Sequence, residues 1–221
     1  MEWVNERKDK VVAEAKNMFA ELGPLLKKPI SHTGLLANKN TPVIGFEFIG
    51  AKVVICIIMM LIAIARIESA LGGWNIVDGE TKLKIALVII VFVGGIDVLE
   101  AASLKLCTGM FGLNTSFNRM LTVMGTKALF DIVFIIIAGF LALVAPTLGV
   151  FSLVVGGMLS TYVQYGGFSR AVAGGDDKKP YIMAIAKVAV LIVVFLILSV
   201  VMDGFVDNLS YALEELFYGF Y

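Results

Sequence analysis

The chain has 221 residues, 59% hydrophobic and 16% charged, with mean hydropathy +0.91 and a formal net charge of zero. A soluble domain of this length carries about 25% charged residues, and the apolar residues here come in blocks, not in the short alternations of a β-barrel strand. Composition therefore leaves an integral helical membrane protein, with no global pull toward nucleic acid and too few cysteines, Cys56 and Cys107, for a disulfide framework.

Residues 2–22 read as an amphipathic helix. Val4, Val11, Val12, Ala15, Met18, Phe19 and Leu22 recur mostly at three- and four-residue spacing, with Trp3 at the start and a mixed-charge opposite face. Such a helix lies on a membrane surface, or packs on the spans or a partner. Gly23-Pro24 is expected to end it. The run from Lys27 to Pro42 then reads as a mostly polar connector, completing a cytoplasmic segment over 1–42. His32, the sole histidine, is expected to be solvated in it. Lys27 and Lys28 suit anionic lipid head groups. The first forty residues lack the apolar stretch of a signal peptide, so the first span is expected to serve as the insertion signal.

Five spans are expected over 43–203. The first covers about 46–65, and Trp74 after it suits an interfacial anchor. The second covers about 85–104, with Gly94-Gly95 in its middle allowing close helix approach or a local bend. Cys107 falls just beyond it. One straight helix over 120–168 would be about 70 Å long, against a hydrocarbon core of about 30 Å. The chain must turn, and Pro146-Thr147-Leu148-Gly149 is the natural place. This gives a third span over about 120–145 and a fourth over about 150–167. Ser152, Ser160, Thr161, Tyr162, Gln164 and Tyr165 in the fourth read as helix-packing material, with the lining of a polar pathway as the alternative. The fifth covers about 181–202, and residues 204–221 read as a weak interfacial helix ending in aromatic residues.

Eight ionisable residues lie inside or at the edge of these spans: Glu47, Lys52, Asp97, Glu100, Lys105, Lys127, Asp131 and Lys187. All fall in the half expected to be cytoplasmic. Charges at membrane depth are costly and need partners or water. Asp131 is the deepest, about 16 Å in by residue count. Aspartate is too short to reach an interface, so it needs a partner, a proton or a cation. Lys127 precedes Asp131 by four residues, the weaker order for an intrahelical pair, so Lys127 is free to turn toward the second helix. Two readings stand. One is an ionic knot that fixes how the spans meet. The other is a hydrated cytoplasmic vestibule for an ion, proton or polar solute.

Nothing in the chain resembles a catalytic set: there is no Walker A sequence, no GxSxG and no Rossmann fingerprint. One histidine and two distant cysteines give no metal-ligand cluster, and no cofactor is expected. The step Leu22-Gly23-Pro24 followed by Lys28-Pro29, the close third and fourth spans around Pro146, and Ala171-Val172-Ala173 before the last span carry a resemblance over residues 23–203. In that layout the chain resembles the Yip-domain membrane proteins, most of all their small bacterial members. The tyrosine of the eukaryotic Asp-Leu-Tyr-Gly-Pro motif is absent here. The resemblance implies architecture more than mechanism.

The expected fold is an all-α bundle of five transmembrane helices with amphipathic helices at the N- and C-termini. The expected function is non-enzymatic: a scaffold or adaptor that contacts partner proteins or lipids through Trp3, Phe19, Lys27 and Lys28. The alternative is a small transporter or channel with Asp97, Glu100, Lys127 and Asp131 along its polar route. Orientation follows from base counts. The amino-terminal segment, Lys105–Arg119 and Ser169–Lys179 carry most of the bases outside the spans, and the tail after Met202 carries none. This favours a cytoplasmic amino terminus in the plasma or inner membrane, with the carboxyl terminus outside. A reporter fused to the carboxyl terminus is expected to signal from outside, and a cytoplasmic signal would overturn this orientation.

Overall fold

With no water in a bilayer to satisfy backbone N–H and C=O groups, an apolar block can cross only by bonding within itself as a helix. The computed structural model describes residues 17–70, 72 and 77–218, with side chains through residue 199. The elements are α1 (17–27), α2 (Pro29–Asn38), α3 (Val43–Ala70), α4 (Gly79–Ile89), a π-helical turn (Ile90–Gly94), α5 (Gly95–Met110), α6 (Phe117–Val144), α7 (Pro146–Ala171) and α8 (Lys179–Tyr218). There is no strand among the described residues. Five helices are long and apolar enough to cross a membrane: α3, the α4–α5 unit, α6, α7 and the first part of α8. The protein is thus an all-α, multi-pass bundle.

Local chemistry accounts for the ends. Asp78 caps α4 by accepting from the Thr81 amide at 2.8 Å, and Ser116 caps α6 by accepting from the Arg119 amide at 3.2 Å. The expected turn at Pro146 shrinks to one extended residue, Ala145 (φ −153°, ψ 126°), with Pro146 opening α7. Proline favours an extended predecessor and suits the first helical position. The backbone of α8 runs unbroken for 40 residues, through the point near Met202 where a span end and a separate terminal helix were expected. At about 1.5 Å per residue it is about 60 Å long, twice the hydrocarbon thickness.

The amino-terminal region departs from expectation. Helix α1 continues through Gly23-Pro24 and breaks at Lys28, whose backbone (φ −138°, ψ 63°) leaves the helical region. The cause is Pro29, which disfavours the helical conformation in the residue before it. The supposed connector is largely helix α2. It buries Leu36 and Ala37, and it settles on glycines of α7: Ile30 lies against Gly166 and Thr33 against Gly167. His32 is not simply solvated. Its Nε2 donates to Glu21 at 2.5 Å, and Lys39 donates to the other Glu21 oxygen at 3.2 Å. The His32 hydrogen bond, helped by Lys39, holds the Glu21 carboxyl below its ordinary value against the opposing effect of burial. Trp3 and Trp74 lie outside the described residues, as do residues 2–16 of the expected first helix.

Helix α6 is the centre of the bundle. From Met120 to Leu129 it is buried on almost every face, against α2, α3, α5 and α7. The large buried side chains, including Phe48, Leu104, Met124, Phe168 and Ile182, gather at the end of the bundle where α2 sits. Toward the far end, side chains such as Ile58, Phe140, Phe151 and Phe195 are exposed, as suits lipid-facing positions. The closest crossing is between α3 and α6. A Cβ on Gly125 would stand 2.6 Å from Gly45 Cα and 2.7 Å from its carbonyl oxygen. Backbone atoms cannot yield, so Gly125→Val is expected to cost about 1–3 kcal/mol in bicelle unfolding. Unchanged stability would show that the crossing has room to spare.

Candidate functional site

Two turns along from the Gly45–Gly125 crossing, α3 and α6 bring their charges together. Phe48, Ile49, Lys52 and Cys56 share one side of α3, so the turn that packs against α6 also delivers a lysine. On α6, Lys127 and Asp131 are one turn apart. On α5, Asp97, Glu100, Ala101, Leu104 and Thr108 form one buried stripe. The π-helical turn lies just before that stripe. There Gly94 comes close to Val53 of α3, where an added Cβ would be 3.2 Å from Val53 Cγ2. Gly95 has nothing near it, so Gly94 is the residue that permits the approach.

The result is a quartet of two lysines and two aspartates. Lys52 Nζ donates to Asp97 Oδ2 at 2.7 Å and to Asp131 Oδ2 at 2.9 Å. Lys127 Nζ donates to the same Asp131 oxygen at 3.1 Å and lies 3.6 Å from Asp97 Oδ1. Lys127 therefore serves both its own helix and α5, and Asp131 finds its second partner in Lys52. The four charges sum to zero, and each lysine touches both aspartates.

A second cluster joins α5, α7 and α8. Lys187 Nζ donates to Glu100 Oε1 at 2.9 Å and to Gln164 Oε1 at 3.1 Å. Gln164 Nε2 donates to Glu100 Oε1 at 2.8 Å and lies 3.0 Å from Met124 Sδ. The sequence favoured packing over a polar pathway lining for Gln164; it is fully buried and bridges an ion pair. Its signal was the amide itself, the only Asn or Gln in the fourth span.

Lys105 belongs to neither cluster. Eight residues after Asp97, it is turned about 80° around the α5 axis from that residue, and it is exposed. Glu47 is half-buried on α3, five residues before Lys52. Phe19, Lys27 and Lys28 are exposed on the α1 side of the bundle.

All four quartet residues line a cavity of ≈ 350 Å³. Its other walls are Cys56, Val93, Ile96, Phe134, Ile135, Leu153, Gly156 and Gly157. Along α6 these run from Lys127 toward the far end of the bundle. On the α2 side of the quartet lie Phe48, Leu121 and Met124, all fully buried. The quartet is thus the boundary between a close-packed half and a looser one.

Fold and site together define a multi-pass helical membrane protein with a neutral ionic cluster inside the bundle. No family model matches the chain, no curated protein matches it and no solved structure matches it.

Charge removal tests how the quartet holds together. Lys52→Met leaves Asp97 and Asp131 with one lysine between them and is expected to cost about 3–5 kcal/mol. The double variant Lys52→Met/Asp97→Leu keeps the Lys127–Asp131 pair and is expected to recover most of that loss. Additive losses in bicelle unfolding would show that these charges do not compensate one another.

Proposed function

We propose that this chain is a non-enzymatic scaffold or adaptor of the plasma or inner membrane, Yip-domain-like in layout. Its amino terminus faces the cytoplasm and its carboxyl terminus faces outside. The observation that carries this reading is the self-neutralised quartet: its charges pair with one another, and the side toward α2 is filled by Phe48, Leu121 and Met124. Such a cluster fixes helices in place. The orientation rests on the excess of bases at the α2 end.

The contact surface is the α1–α2 unit. Helix α2 is anchored on α6 and α7, while Phe19, Leu26 and Leu35 remain exposed beside Lys27 and Lys28. Apolar side chains next to lysines on a held helix suit an anionic membrane surface or a partner at that surface. Trp3 extends the same reading to the amino terminus.

A second reading, a small transporter or channel, draws on the ≈ 350 Å³ cavity that touches all four quartet residues. Flux separates the two. In proteoliposomes, wild type and Asp131→Asn are expected to show the same background proton and ion leak. Robust flux abolished by Asp131→Asn would replace the scaffold with the transporter. In pull-downs from native membranes, the triple variant Phe19→Glu/Lys27→Glu/Lys28→Glu is expected to lose co-purifying proteins or lipids. Unchanged recovery would remove the α1–α2 surface from the proposal.

A further inference from the structure

Starting at the quartet, three cavities lie end to end along α3 and α6, the first two also walled by α7. The quartet cavity shares Cys56, Ile135 and Leu153 with a second of ≈ 360 Å³. The second shares Met59 and Gly139 with a third of ≈ 220 Å³, which ends at Arg66. Met59 is the partition between the last two. Its ε-methyl occupies the space that a Cβ on Gly139 would need. Methionine has three rotatable bonds, so this wall adapts to what lies beside it.

Two features identify the occupant. The second and third cavities are apolar along their length and carry a single charge, Arg66, at the end near the α3–α4 loop. Arg66 has no acidic partner among the described residues, whereas Glu68 is already paired with Lys82 at 3.1 Å. From Arg66 to Cys56 is ten residues of α3, about 15 Å, half the hydrocarbon core and so the depth of one leaflet. An acyl chain of the adjoining leaflet matches both the length and the apolar lining of this groove.

We propose that this groove holds one acyl chain of an anionic glycerophospholipid from the leaflet on the α3–α4 side, with the lipid phosphate on Arg66. The phosphate supplies the acidic partner that the described residues do not, and the guanidinium can bind it in a bidentate fashion. The acyl chain runs past Phe140, Gly139 and Met59 toward Cys56. The site uses no quartet side chain for binding, and it stands whether the protein is a scaffold or a transporter.

The test uses the full-length protein in nanodiscs and in mild detergent. Phosphatidylglycerol and phosphatidylcholine with identical chains compete for it, and native mass spectrometry counts what is retained. Wild type is expected to favour phosphatidylglycerol by about fivefold, and Arg66→Gln is expected to remove the preference while still retaining lipid. Gly139→Leu fills the groove and is expected to lower retention of both lipids. Ile62→Trp, at an exposed lining position, does the same with little risk to folding. Labelling of the native Cys56 thiol reports occupancy independently and is expected to slow when phosphatidylglycerol is added. Equal lipid preference in wild type and Arg66→Gln would overturn the proposal. So would undiminished retention in both filled variants, which would mean head-group attraction at the surface only. Co-purification of a second protein chain that both filled variants abolish would assign the groove to a protein instead.

Discussion

Two lysines and two aspartates that neutralise one another at membrane depth are the constraint on which the rest of this bundle depends. Lys52, Asp97, Lys127 and Asp131 come from three helices, and none is affordable in hydrocarbon without the others. Each lysine contacts both aspartates, so the helices α3, α5 and α6 have little freedom to slide or rotate independently. The second cluster, Glu100, Gln164 and Lys187, extends the same logic to α7 and α8. Polar contacts therefore tie all five spans together in a medium where apolar surface alone gives helices little reason to associate.

That arrangement needs close backbone approach as well as charge. Lysine and aspartate side chains meet at 2.7–3.1 Å only if the helix axes are near, and the Gly45–Gly125 crossing brings them near. Helix α2 uses the same device on Gly166 and Gly167 of α7. Close packing and ionic pairing then coincide in one half of the bundle. The other half has fewer buried side chains, and its exposed surface is apolar and suited to lipid. The quartet lies where the two halves meet, and the cavities begin there. A close-packed end bearing an exposed α1–α2 surface and a looser end bearing an apolar groove are the two features on which the proposed contact function and lipid site rest.

Much of this was legible beforehand. Five apolar blocks, a turn at Pro146 and charges displaced toward one end follow from composition and length, because a bilayer permits few backbone solutions and tolerates few charges. The departures have local causes. The break at Lys28 belongs to Pro29 rather than to Gly23-Pro24, because a proline acts on the residue before it. Helix α2 looked like a connector because its apolar residues are few and its burial comes from glycines on another helix. Lys105 was grouped with the buried charges by depth alone, but its angle around α5 turns it outward.

The sequence by itself determined the class of protein, the number of spans and which residues had to find partners, since hydropathy and charge are properties of each residue in its own segment. Tertiary structure alone decided the pairing. Lys52 and Asp131 lie 79 residues apart, and Gln164 reaches Glu100 across 64. Such contacts depend on rotation about each helix axis and on the distance between axes, both set by where glycines let neighbouring backbones touch.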